Sequence, residues 1–595
     1  MADPRGGAAA QTTLLSRRHI SFLLYEWLGI EELCARERFA AHSRESFEDI
    51  IELAQRLAER FFAPHNQLAD RQEPRIGADG RVVLVPEVRT ALAAFADSGF
   101  CGITFDEAIG GFQLPHAVAG AALAWFHAAN VGTTAYTTLT SAAANLIYTY
   151  GSPEQIDTWV PPMLDGRYHG TMCLSEPQAG SSLSDITTRA VRSDDGSYRV
   201  CGTKMWISGG EHELGENIVH LVLARTPDAP PGVKGISLFI VPRYGDDGRA
   251  NDVALVGINH KMGFRGTVNT VLAFGEHGGA VGYLIGQEGH GLAYMFYMMN
   301  EARIAVGRMA TCLGYTAYLK SLEYARERPQ GRNVGADPTT PQLPIIEHCD
   351  IKRMLLAQKS YVQGALALVL YCDRLVDEKH TAPTEAERHN AATLLEILTP
   401  IAKSWPSQWC LAANDLAIQI HGGYGYTREY SVEQHYRDNR LNPIHEGTHG
   451  IQALDLLGRK VVSGDGAAFS LLTQTITATI DRALFAGGLG AELAGELAAR
   501  VNRLIEATAA IGRESDRHVA LANATAYLEA TGHIVVAWIW LEQLLVSDDH
   551  AGPFYDGLRQ TAKYFVRCEL PRVDAQLDLV EKREQTALMM NDAWY

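Results

Sequence analysis

The first dozen residues are small and polar without periodicity, and predict no element. From about 45 to 165 apolar positions recur at helical spacing. "FEDIIELAQRLAERFF" sets Phe47, Ile50, Ile51, Ala54, Leu57 and Phe61 on one face. "HAVAGAALAWFHAAN" is apolar nearly all round and predicts a buried helix. The texture changes near 170. "YRVCGTKMWIS", "HLVLART", "ISLFIVPRY" and "NTVLAFGE" are short runs rich in β-branched residues, parted by Gly, Pro and Asp. Helical periodicity returns after 285 and runs to the C-terminus, with loops by composition at "PQGRNVGADPTTPQLP" and "SGDGA". The pattern predicts a mainly α chain with one β domain. Its parts are an N-terminal extension (1–44), a helical domain (45–168), a middle β domain (169–285), a helical bundle (286–462) and an additional helical domain (463–595). Strands do not alternate with helices, which argues against a doubly wound sheet. No G-x-G-x-x-G lies between a strand and a helix, so any dinucleotide binds without a Rossmann fold.

Composition narrows the classes. The 595 residues exceed one core, and the 47% hydrophobic and 20% charged content is that of a globular protein. A net charge of −17 disfavours a nucleic-acid partner. Nine cysteines without a C-x-x-C pair suggest reduced thiols and a cytoplasmic setting. The longest apolar run, "IVVAWIWLEQLLV", is interrupted by Glu542 and reads as a buried helix rather than a membrane span. "SRRHISFLL" has the look of a twin-arginine export signal, but Glu26 cuts the apolar region short and no small-residue cleavage site follows. It reads as an ordinary amphipathic segment.

One motif poses a chemical question. "NPIHEGTHGIQ" (442–452) contains H-E-x-x-H, the zinc-peptidase pattern. That pattern needs both histidines on one face of a continuous helix, with the glutamate as base on a metal-bound water. Here Gly447 and Thr448 are the intervening residues, Gly450 follows His449 and Pro443 precedes the motif, so it predicts a turn leading into a helix near Ile451. No metal ligand is assigned.

Four stretches, in order and spacing, are similar to those of the acyl-CoA dehydrogenase family. They are "MCLSEPQAGSSLSD" (172–185), "GTKMWISGG" (202–210), "IQIHGGYGYTREYSVEQHYRD" (418–438) and "NPIHEGTHGIQ". The resemblance covers about 45 to 460. Length and terminal extensions further resemble the long bacterial subgroup that includes 3-methylmercaptopropionyl-CoA dehydrogenase. The resemblance implies a β-barrel-like middle domain, a four-helix C-terminal bundle and FAD between them. It implies ring contacts from Ser175 and from the main chain of Met172 and Leu174. Small residues Ala179, Gly180 and Ser181 admit pyrophosphate and substrate, and Trp206, Ile207 and Ser208 flank the flavin. Arg328 and Gln330 would reach the FAD of a neighbouring subunit, with Gln419, Gly422 and Gly423 on its adenine side. In place of the family's R-K-T-F-G the chain has R-P-Q-G-R. Thr448 would contact FAD. Asn300 and Arg303 fall near the CoA moiety, and Asn300 stands where the family has a carboxylate.

Glu446 falls on the family's catalytic base. The implied reaction is α,β-dehydrogenation of an acyl-CoA thioester to the trans-2-enoyl-CoA, with the α-proton going to Glu446 and the β-hydride to flavin. A water-poor pocket raises a carboxylate's pKa and makes it a better base. Gly447 lets the backbone turn so that the carboxylate faces the reaction. His445 replaces a tyrosine: it either lines the acyl pocket, making it shorter or more polar, or packs in place of the ring. Gly450 replaces a common glutamine. The implied partners are acyl-CoA, an electron-transfer flavoprotein as acceptor, and further copies of the chain in a homodimer or homotetramer. An acyl-CoA oxidase, with the same base and oxygen as acceptor, stands beside this reading. A DNA-associated relative is disfavoured, because residues 471–595 carry 11 Lys/Arg against 17 Asp/Glu.

Overall fold

The computed structural model describes residues 13–245 and 247–595; of residues 297–300 it describes the backbone alone. The described part of the N-terminal extension, from residue 13, folds into the body of the protein; residues 1–12 lie outside the described residues. A short helix Arg17–Ser21, capped by Ser16, runs into a π-helical turn Phe22–Trp27 that buries Phe22, Leu23 and Leu24. This segment packs on the far end of the chain: Phe22 meets Phe554 edge-on, and Glu26 and Arg18 both bond the Tyr555 hydroxyl.

Helix α1 (Arg44–Leu57) starts on a Ser43/Ser46 capping box and buries Phe47, Ile51 and Ala54. A π turn over Ala58–Phe62 then adds a residue to the turn. The apolar stripe rotates with it, so Phe62 is buried where simple periodicity points to Phe61. A small hairpin of β1 (Arg75–Ile76) and β2 (Val82–Val83) interrupts the helical domain. Helix α2 (His116–Ala129) is buried all round, and α3 (Val131–Tyr150) follows it, capped by Asn130.

The middle domain comprises β3 (Tyr168–Cys173), β4 (Arg189–Arg192), β5 (Tyr198–Ser208), β6 (Asn217–Arg225), β7 (Ile236–Pro242), β8 (Val253–Ile258), β9 (Asn269–Phe274) and β10 (Ala280–Leu284). β10 pairs with both β7 and β5, and β6 links β7 to β4, so the ring β5–β10–β7–β6–β4 closes into a barrel. β3 adds to β6 in parallel, and β9 and β8 extend from β5. In β6, Val222 and Ala224 fill the barrel while Val219, Leu221 and Leu223 pack outward on α3 and the helix Pro153–Leu164. Burial on both faces explains why this strand is an unbroken apolar run.

Three long helices follow: α4 (Gly291–Glu327), α5 (Cys349–Thr381) and α6 (Glu385–His421). The fourth member of the bundle is split into α7 (Val432–Asn439) and α8 (His449–Asp455). Residues 440–448, including Glu446, form the break. In the last domain, the apolar run anticipated as a buried helix is the core of α9 (Ala524–Ser547), with Trp538 and Trp540 inside.

Candidate active site

The Glu446 turn is built by its backbone. Glu446 has φ +52° and Gly447 φ +85°, two left-handed residues in succession. For glutamate that conformation is uncommon and marks a position held by its surroundings. At Gly447 a Cβ would also lie 2.6 Å from Gln452 Nε2. These residues break any helix between His445 and His449. The histidines therefore turn to different partners. His445 Nε2 meets Asn442 Oδ1 at 3.0 Å, while His449 Nδ1 meets Ser404 Oγ at 2.9 Å and its Nε2 lies 3.5 Å from Glu529 Oε1. The shared helical face that the H-E-x-x-H pattern needs is not formed. Helix α8 starts at His449 with Thr448 as N-cap, its hydroxyl accepting from Ile451 N at 3.3 Å.

Carbonyls at both ends of the turn are engaged. Lys403 Nζ, on α6, donates to Asn442 O and Gly447 O, both at 2.7 Å. Gln452 Nε2 donates to Glu446 O at 2.9 Å, and His449 N to Pro443 O at 3.0 Å. By contrast, the Glu446 N–H has no acceptor among the described residues, and its carboxylate has no hydrogen bond or ion pair there. Burial raises the Glu446 pKa; Lys403 and Arg303 act against it. Arg303 is spent elsewhere, in a buried 2.8 Å pair with Asp455 on α8.

A ladder of buried amides fixes His445. Asn414 Nδ2 donates to Leu313 O, and Asn439 Nδ2 to Ala310 O and Asn414 Oδ1. Asn442 Nδ2 then donates to Asn439 Oδ1, leaving Asn442 Oδ1 for His445. Backbone carbonyls only accept, so they set every amide's orientation in turn. His445 must therefore carry its proton on Nε2. Burial and the Lys403 charge push its pKa down to about 3, so the ring is neutral and Nδ1 is a bare acceptor.

The two barrel segments with flavin resemblance lie side by side. Met205 N donates to Ser175 O at 3.0 Å, and Lys204 Nζ to Leu174 O at 3.0 Å. Between Lys204 and Ile207 the β5–β9 register shifts, and Trp206 stands out of this bulge with φ +65° and 58% exposure. A tryptophan both strained and exposed is poorly explained as core. Ile207 beside it is buried, and Ser208 Oγ accepts from Asn269 Nδ2 at 3.1 Å. Met172, Leu174 and Ser175 are half-buried, and Gly180 and Ser181 are exposed. Gly180 has open space where a Cβ would stand.

Sequence reading missed the residue that holds this surface. Glu176 is buried and accepts from Thr187 and Thr188, each through N and Oγ1, from Gln178 Nε2, and from Lys204 Nζ at 2.9 Å. Burial alone would raise its pKa; Lys204 and the other donors take it down to about 2. Lys403 was also missed. The available signal was a lysine inside the apolar run "LTPIAKSW" of α6.

The remaining candidates gather elsewhere. The Arg328 guanidinium lies 5.5 Å from the centre of the Tyr424 ring, so the 328–330 and 419–423 segments share one surface, where Arg328, Gln330, Gln419, Gly422 and Gly423 are all exposed. Gln419 lies sixteen residues beyond Lys403 on α6, about 24 Å along the helix axis. The Asn300 side chain lies outside the described residues. A cavity of about 340 Å³ borders the turn, lined in part by Gln408, Arg440, Ile444 and Thr448.

The arrangement of a barrel between helical domains recurs in known proteins. The chain matches the N-terminal (44–167), middle (171–276) and C-terminal (289–461) domains of acyl-CoA dehydrogenase, and the acetyl-CoA dehydrogenase C-terminal-like domain (472–591). It belongs to the acyl-CoA dehydrogenase family and is an oxidoreductase acting on acyl-CoA. It is 37% identical to 3-methylmercaptopropionyl-CoA dehydrogenase of Ruegeria pomeroyi over 87% of each chain. The fold is shared with Caenorhabditis elegans ACDH-11, solved in complex with C11-CoA (TM-score 0.77, 17% identity, 100% of this chain and 98% of the other). It is shared too with an acyl-CoA dehydrogenase from Bacillus anthracis, solved with FAD (TM-score 0.74, 20% identity, 93% and 90%).

Proposed function

We propose that the chain is an FAD-dependent acyl-CoA dehydrogenase with Glu446 as the base. The observation that carries this reading is the Glu446 turn: a carboxylate with a raised pKa that has no partner among the described residues, beside its own N–H, which has no acceptor among them. The carboxylate takes the α-proton of the thioester. The Glu446 N–H supplies a donor for the oxygen on which negative charge develops. Lys403 and Gln452 keep the turn's carbonyls occupied, so that its N–H and carboxylate stay directed at substrate.

The residues fit FAD: an exposed indole on a strained bulge, half-buried Met172, Leu174 and Ser175, and an open position at Gly180. When bound, FAD supplies the acceptor for the β-hydride. Trp206, Ile207, Ser208 and Thr448 would hold its isoalloxazine end, and Ser181, Arg303, His445 and Gly447 would border the substrate. The physiological acceptor in this reading is an electron-transfer flavoprotein. The nine free thiols fit a reducing cytoplasm.

The test is the visible spectrum of the purified protein, followed without oxygen during addition of acyl-CoAs that include 3-methylmercaptopropionyl-CoA. A flavin spectrum that bleaches with a thioester supports the reading. A protein that takes up no flavin on reconstitution ends it.

The 328–330 and 419–423 surface adds a second expectation. Its distance along α6 from the Glu446 turn suits contribution to a site on another copy. Sedimentation should therefore give a dimer or tetramer, and Arg328→Ala should lower flavin retention without disturbing the turn. A monomer that retains flavin would contradict this.

A further inference from the structure

Resting on Glu446 as the base, we propose that Lys403 is its positioning residue: the ammonium clamps both ends of the turn and its charge keeps the carboxylate ionised for proton abstraction. Lys403 is fully buried on α6, yet no carboxylate lies within ion-pair distance of it among the described residues. Buried lysines are rare and are normally paired. Here two of the three N–H donors go to Asn442 O and Gly447 O. These carbonyls bracket Pro443 to Glu446, so one side chain fixes where the turn starts and where it ends.

The charges around Glu446 single Lys403 out. On α4, Arg303 is neutralised by Asp455 of α8, which Arg459 also approaches at 3.5 Å. Within the turn, His445 is neutral. His449 faces Ser404 and, from α9, Glu529. Among the described residues Lys403 is left as the uncompensated cation beside Glu446, and burial pulls its own pKa down to about 7 against the attraction of Glu446. An opposite charge nearby favours the ionised carboxylate and offsets part of its desolvation.

The clamp and the charge separate by substitution. Lys403→Met removes both, Lys403→Gln keeps a donor without the charge, and Lys403→Arg keeps the charge. The Glu446 carboxyl can be titrated by infrared difference spectroscopy, identified as the band absent from Glu446→Gln. This readout needs neither substrate nor turnover. In the Met and Gln variants its midpoint should rise by about one pH unit or more, a tenfold loss of the ionised form at a pH below it. Flavin reduction per bound flavin should then fall about tenfold on the acid limb and recover as pH rises, with KM little changed. The Arg variant should titrate near the parent. If Lys403→Met fails to fold, Lys403→Gln decides. An unmoved midpoint and unmoved pH profile would overturn the role of Lys403 while leaving Glu446 standing. Full activity in Glu446→Gln would instead remove the base itself.

Discussion

Glu446→Gln is expected to keep the fold and the flavin and to lose flavin reduction by acyl-CoA about 10³-fold, within the range for a general base. The amide fills the same volume but cannot take the α-proton. The variant should also be more stable than the parent at neutral pH. Burial raises the Glu446 pKa, so the folded state binds this proton more tightly than the unfolded chain. Ionisation therefore opposes folding once pH exceeds the unfolded pKa, and the cost grows until pH reaches the folded value. Glutamine carries no such cost. Melting temperatures should diverge in favour of the variant at pH 7 and converge below about pH 4, under the unfolded carboxylate value. In the parent, the rate of flavin reduction should rise with pH through the raised pKa. Stopped-flow reduction and paired thermal melts check both halves. A glutamine variant that still bleaches at the parent rate would sink the assignment.

Glu176→Ala should do the reverse: it should destabilise the barrel and empty the site of flavin. Removing this carboxylate orphans Lys204, which is buried beneath the bulge bearing Trp206, and leaves four donors on Thr187 and Thr188 unpaired. Breaking a buried pair on one side costs about 3–5 kcal/mol. The Lys204 bond to Leu174 O also loses its anchor, so both barrel segments shift. The pH sign is opposite to that of Glu446. The pKa of Glu176 is lowered to about 2 in the folded state, so its contribution is fully present above the unfolded value and is lost as pH falls through about 2. The parent's advantage over the variant should therefore shrink from about pH 4 downward. Flavin absorbance per polypeptide and thermal melts at several pH values read this out. Parent-like flavin content together with parent-like melting would disprove the latch.

Much of the site was legible because its parts are contiguous. "SEPQAGSS" and "TKMWIS" are single segments, and their side-by-side placement follows from one barrel wall. The turn at Glu446 was readable from Gly447 and Pro443, and α8 starts at His449, two residues before Ile451, where the sequence suggests it. Phe61 does pack against the core, but the full burial of Phe62 beside it was not legible, because a π turn leaves no trace in a 3.6-residue period. Arg303 shows the harder limit. Its partner Asp455 lies 152 residues away, and no local pattern joins them.

Periodicity by itself determined the order of helices, barrel and helices, because burying one face is a local demand on each element. It also supplied the backbone logic of the Glu446 turn, because glycine and proline act on their own φ and ψ. The tertiary structure alone decided that Glu446 is desolvated, that Lys403 reaches the two ends of its turn, and that a four-step amide ladder fixes the His445 tautomer. Those are properties of charges and donors brought together from α4, α6 and the broken helix. Their energies depend on distance and burial in space, and spacing along the chain carries neither.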